Sequence, residues 1–151
     1  MKNRGKNLIK NSRWLPGPSG GPEFFAGAGP ITYDRLSIGG CRTCSITMAD
    51  GVAQDFYLPL IDVAGMPAIR YGFTIRVIDA DHIAYAAEFY NRSKTPLRCE
   101  IRDITEGVNY SFRDVGACFD IPSDAAFVRL SIRFTGKITA CTYWAPYACF
   151  A

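Results

Sequence analysis

With 151 residues, 48% of them hydrophobic and 21% charged, the chain has the composition of one ordinary folded domain, not of a disordered segment. A net charge of +3 is too small to carry nucleic-acid binding by itself, and no apolar run approaches the ~20 residues of a membrane-spanning helix. Six cysteines are too sparse for a disulfide scaffold, and a chain of this length can bury about two-thirds of its unfolded surface without such staples.

Residues 1–13, MKNRGKNLIKNSR, hold Lys2, Arg4, Lys6, Lys10 and Arg13 and no acid. They read as a basic N-terminal arm ahead of one β-sandwich domain over 14–151. The arm lacks the apolar stretch of a secretory signal, so cytoplasmic synthesis is expected, with assembly on a spore or particle surface as the route outward. The next segment, LPGPSGGPEFFAGAGP at 15–30, has four prolines and five glycines and reads as a long loop. Cys41 and Cys44 in CRTC have zinc-knuckle spacing. No second pair with such spacing follows, and His82 is the only histidine, so no zinc site is expected.

From residue 31 the hydrophobic period is two. Tyr71, Phe73, Ile75 and Val77 alternate with Gly72, Thr74 and Arg76. Val128, Leu130, Ile132 and Phe134 alternate with Arg129, Ser131 and Arg133. Leu97, Cys99 and Ile101 alternate with Arg98, Glu100 and Arg102, and the apolar set is expected to face inward, Cys99 as a small buried hydrophobe. Further strands are expected at 32–38, 43–49, 53–60, 82–90, 108–113, 116–120 and 138–144. Turn chemistry separates them at ADG (49–51), VAGMP (63–67), NRSKTP (91–96), TEG (105–107), IPSD (121–124) and TGK (135–137). About ten short strands with almost no helical pattern predict an all-β sandwich or barrel.

Catalysis finds little support. His82 sits in DADHIA beside Asp79 and Asp81, but no nucleophile elbow accompanies it. Glu88 and Glu100 fall on strands that can be neighbours, yet the surrounding arginines make ladder ion pairs the simpler reading. The chain is therefore expected not to be an enzyme.

Three stretches resemble carbohydrate-binding modules with the galactose-binding-like jelly-roll fold. NLIKNSRW at 7–14 resembles their Asn-Leu-(Ile/Val) opening. VAQDFYLPL to YGFTIRV, 52–77, resembles a strand pair, and FDIPSDAAFVRLSIRFTG, 119–136, resembles their penultimate strand. The resemblance covers residues 7–14 and 52–150. It implies a jelly-roll β-sandwich that binds a polysaccharide or glycan without catalysis. It also implies a structural calcium, held by a Glu in the opening and an Asp in the last strand. Here Arg13 and Trp14 occupy the opening, and ITACTYWAPYACF has no carboxylate, so no cofactor is expected.

Sugars offer flat apolar faces ringed by hydroxyls, which aromatic rings and polar side chains recognise together. Alternation places Tyr57, Arg76, Glu88, Tyr90, Arg98 and Arg129 on polar sheet faces, with small Ala84 and Ala86 leaving a shallow groove. With Trp144 they form the expected glycan-binding set. The alternative expectation is a self-assembling component of a spore coat, phage tail or similar surface layer, a homo-oligomer. In the closing strand, CTYWAPYACF, one of Tyr143 and Trp144 must face the core. Pro146 is expected to bend or end the strand, at most Trp144 or Tyr147 stays outward, and a Cys141–Cys149 bridge needs the chain to double back.

Overall fold

The computed structural model describes residues 6–9, 25–28, 31–38, 41–105 and 112–151; within these, the side chains of 25–59, 144 and 145 are not described. Among the described residues seven antiparallel strands form: β1 Phe25–Ala28, β2 Ile31–Ile38, β3 Cys41–Asp62, β4 Ala68–Tyr90, β5 Pro96–Asp103, β6 Arg113–Asp120 and β7 Phe127–Phe150. The expected loop at 15–30, the TEG turn and the strand at 108–113 lie largely outside the described residues.

Three strands are far longer than the short ones expected, because ADG and TGK do not reverse the chain. They bend it. β3, β7 and β4 lie side by side, and each runs through two halves of one folded-over sheet. In the first half, 127–135 of β7 pairs with 52–62 of β3 and 82–90 of β4, flanked by β1 and β5. In the second, 137–150 of β7 pairs with 44–50 of β3 and 69–80 of β4, flanked by β2 and β6. The registers break along the fold line, at Asp50/Val52 and at Ala80/His82. There Gly136 takes φ 77° and Asp79 φ 50°, and Asp81 Oδ2 accepts the Lys137 N–H at 2.9 Å. A Cβ at 136 would stand 2.5 Å from that same oxygen, so glycine is what lets β7 cross between layers.

The two halves pack face to face, and their inner faces are the period-two residues. Tyr71, Phe73, Ile75 and Val77 of one layer meet Tyr85, Phe89, Val128, Leu130 and Ile132 of the other, all fully buried. Each such side chain contributes about 1.5–3 kcal/mol by leaving water. Tyr71 meets Tyr85 edge-on at 4.8 Å and stacks on Phe119 at 5.4 Å. Its hydroxyl crosses to the opposite layer and donates to the carbonyls of Ala86, at 2.7 Å, and Ser131, at 3.2 Å. Burial holds the Tyr71 phenol well above its ordinary pKa.

The opening NLI stretch seals one end. Asn7 Oδ1 accepts the N–H groups of Ile9 and Ala148, both at 3.0 Å, and Asn7 Nδ2 donates to the Pro146 carbonyl. Leu8 N–H reaches the Ala148 carbonyl at 2.7 Å, and Ile9 is buried in the core. One amide side chain thus satisfies backbone that a proline-containing strand end leaves without a ladder partner. β7 does not stop at Pro146. Thr74 is opposite Trp144 and Gly72 opposite Tyr147, so one extra residue is accommodated as a bulge and the strand continues to Phe150. Because Cys141 and Cys149 lie along this one extended strand they cannot meet, and both are thiols.

Candidate functional site

Each layer turns one face outward, and the expected binding residues divide between them. On the layer edged by β5, the pairs Ala84↔Arg133, Ala86↔Ser131 and Glu88↔Arg129 look outward. Ala86 and Ser131 are small and buried in this trough. Tyr90 does not offer an open ring. It is only 8% exposed, and the Arg129 guanidinium lies 5.7 Å from its ring centre. Arg129 and Tyr90 thus clamp one another, with Arg129 Nε buried and lacking a hydrogen-bond partner among the described residues.

Arg98 sits on the other side of the sheet from Glu88. Its register partner is Phe89, a core residue, whereas Glu88 is opposite Cys99. Leu97, Cys99 and Ile101 therefore face solvent, reversing the expected orientation; Ile101 is 58% exposed. The physical reason is the position of β5 at the sheet edge, where its inner face overlooks the rim of the core. Long arginines cover that rim with their stems. Arg102 lies 4.5 Å above Phe119, and Arg98 pairs with Glu100 at 2.9 Å while reaching toward the Asp120 carbonyl. Glu88 and Glu100 are consequently on opposite faces and cannot act as a catalytic pair.

The histidine of DADHIA turns toward β5. Asp81 is occupied by Lys137, and His82 Nδ1 lies 3.3 Å from Asp103 Oδ2 across the β4–β5 pair. Both side chains are exposed. The Asp103 carboxyl is held below its ordinary range, chiefly by the Thr105 backbone N–H and then by the Thr105 hydroxyl and His82.

The layer edged by β6 has the more open aromatic. Tyr147 on β7, Gly72 on β4 and Gly116 on β6 form one row across three strands. Tyr147 is 38% exposed, and its hydroxyl reaches across to Gly116, where an added Cβ would lie 3.1 Å from it. At Gly72 an added Cβ would run into the Val115 carbonyl oxygen at 2.0 Å, so glycine is required there. Glycine at 116 thus leaves room for the Tyr147 hydroxyl, and glycine at 72 lets the β6 backbone approach closely. Exposed Arg70 flanks it on β4. Beyond it on the same face are Thr74, whose hydroxyl bonds Asp114 Oδ1, and Arg76, which lies 5.4 Å from the ring centre of exposed Phe112. Arg76, Ile78, Ala140 and Thr142 line a shallow depression that continues this face.

Of the seven expected residues, then, Glu88, Tyr90 and Arg129 share one outer face, Arg76 lies on the other, and Arg98 lies on the inner rim. Trp144 is opposite Thr74 in register, and Tyr57 follows the last paired residue of its β3 stretch; both side chains are outside the described set. Sequence reasoning passed over Gly72, Gly116 and Arg70. The legible signal was two glycines on neighbouring polar faces, which meant nothing until pairing aligned them. Among the described residues no group of three or more His, Cys, Asp or Glu gathers as for a metal. Among the described residues of the opening stretch and the β7 end, Asn7 Oδ1 is already committed to two N–H groups and no carboxylate is present, so these residues do not fit a structural calcium.

No protein-family model matches the chain, and no curated protein matches it. Solved structures do. A tailspike protein 4 enzymatically active domain of bacteriophage CBA120 superposes with a TM-score of 0.73 at 8% identity, over 96% of this chain and 21% of that one. The chain thus spans about a fifth of the tailspike domain's length. A family 16 carbohydrate-binding module superposes at 0.66 with 12% identity, over 94% of this chain and 99% of the module. TmCBM61, solved in complex with β-1,4-galactotriose, superposes at 0.61 with 10% identity, over 97% and 100%. The chain has the jelly-roll β-sandwich fold of carbohydrate-binding modules.

Proposed function

We propose that this chain is a non-catalytic glycan-binding sandwich and that the face edged by β6 holds the ligand. One observation carries the reading: a half-open tyrosine, Tyr147, shares a cross-strand row with Gly72 and Gly116 and reaches Gly116 with its hydroxyl, with Arg70, Arg76 and the Thr74–Asp114 pair on the same surface. A pyranose needs a flat apolar platform with donors and acceptors beside it, and this surface supplies both. The match in fold to whole carbohydrate-binding modules, one of them holding a β-1,4-linked galactotriose, supports the class of ligand. The face edged by β5 is the poorer candidate, since its aromatic ring is spent on Arg129. Glycan-array screening followed by calorimetric titration against β-linked plant, bacterial and host polysaccharides tests the proposal. Binding that is weakened about tenfold in Tyr147→Ala and kept in Arg129→Ala is the expected result; no binding at millimolar sugar overturns it.

A further inference from the structure

We propose that the open edge of β5 is a self-complementary interface, and that a second copy of this chain pairs with it antiparallel about a two-fold axis through Cys99. This goes beyond glycan binding and does not depend on it. No described strand lies beyond β5. The Ile104 N–H donates to the Ile83 carbonyl at 2.8 Å, which sets the parity of the ladder. Arg98, Glu100 and Arg102 thus turn their backbone groups to β4, and Leu97, Cys99 and Ile101 turn theirs to the open edge. Their side chains are exposed as well. A strand edge that is not proline-blocked at its donors, and whose solvent face is uncharged from Leu97 to Ile101, is a template for another strand.

The sequence PLRCEIRD decides which strand fits. In the two-fold register centred on Cys99, Leu97 meets Ile101 of the second copy, Arg98 meets its Glu100, and Cys99 meets its Cys99, over a ladder from Pro96 to Arg102. Apolar lies against apolar on the outer face and opposite charges against each other on the inner face. Moving the axis to Glu100 sets Glu100 against Glu100 and Arg98 against Arg102. Moving it to Ile101 shortens the ladder and sets Cys99 against Asp103. Only the Cys99 axis satisfies hydrogen-bond parity, charge and hydrophobicity over the full strand, and an isologous contact of this kind closes as a dimer.

Sedimentation equilibrium of the full chain from micromolar to millimolar concentration, under reducing conditions, reads the association. A monomer–dimer equilibrium is expected, weakened about tenfold or more by Glu100→Arg, which sets arginine against Arg98 of the other copy, and restored by Arg98→Glu combined with Glu100→Arg. Ile101→Pro removes an edge donor that β4 does not use and should leave a folded monomer, with thermal melting confirming the fold. Mild thiol oxidation by a copper–phenanthroline complex should link two copies through Cys99, and Cys99→Ser should abolish the link. A wild-type monomer at millimolar concentration overturns the proposal. So does a dimer indifferent to the charge exchange, or a cross-link that survives Cys99→Ser.

Discussion

The two outer faces of this sandwich are built by the same rule and end in opposite states. On both, small residues occupy the middle of a cross-strand row and a tyrosine stands near it. On the β5 side the small residues are Ala86 and Ser131, and Tyr90 is pinned under Arg129. On the β6 side they are Gly72 and Gly116, and Tyr147 stands in the same row, its hydroxyl reaching Gly116 and part of its surface open to solvent. The lesson is that a ring's availability depends on what its row neighbours permit. A guanidinium beside a tyrosine uses up the ring; a glycine row supports it and leaves one surface open.

The comparison breaks most completely at Gly72. Gly72→Val drives a side chain into the Val115 carbonyl and should cost about 3 kcal/mol of stability, read by denaturant unfolding, together with the loss of any sugar binding. Next in size is the pair that defines the two faces. Tyr147→Ala should weaken glycan binding about tenfold and leave stability nearly unchanged, because the ring is partly exposed. Arg129→Ala should do the reverse: about 0.5–1 kcal/mol less stable from the lost ring contact, with calorimetric affinity unaltered. An equal effect of both substitutions on binding would erase the distinction between the faces.

A smaller test separates two core tyrosines that the sequence treats alike. Tyr71 donates across the layers, so Tyr71→Phe should cost about 1 kcal/mol. Tyr85 Oη is buried with no partner among the described residues, and burial raises its pKa. Tyr85→Phe removes an unsatisfied hydroxyl and should be neutral or stabilising by up to about 1 kcal/mol in the same unfolding measurement. A larger loss at Tyr85 than at Tyr71 would contradict the hydrogen-bond assignment.

Periodicity made the inner faces of β4 and β7 legible, because those strands run through the centre and their apolar residues have one place to go. It failed at β5. Alternation reports that Leu97, Cys99 and Ile101 share a side; it does not report which side, and at an edge the rim can be covered by Arg98 and Arg102 instead. Turn chemistry at residues 49–51 and 135–137 reads as breaks between separate strands, whereas β3 and β7 run on through both. The β3 register shifts between Asp50 and Val52, and Gly136 with φ 77° carries β7 from one layer to the other; local composition does not distinguish a bend from a reversal. The candidate site was the least legible part. Tyr147, Gly72 and Gly116 are far apart along the chain, and only the pairing of three strands makes them a platform. Tyr90 was misread for a related reason: alternation places it outward, but Arg129 two residues away on the diagonal covers it.

The smallest expected effect lies at Asp103, the last residue of β5. Its folded-state pKa is depressed, first by the Thr105 backbone N–H and then by the Thr105 hydroxyl and His82. A carboxyl with a lowered folded pKa stabilises the fold above its unfolded value of about 3.9, and that contribution disappears as pH falls through the folded value. The side chain is more than half exposed, so solvent screening keeps the effect small. Melting temperatures of wild type and Asp103→Asn should therefore differ slightly at neutral pH and converge as the pH falls below the carboxylate range. Convergence toward high pH instead would assign the wrong sign to this group. A gap that stayed constant through the acid range would mean that the Thr105 contacts do not depend on the carboxylate charge, and that this corner of β5 is held by backbone pairing alone.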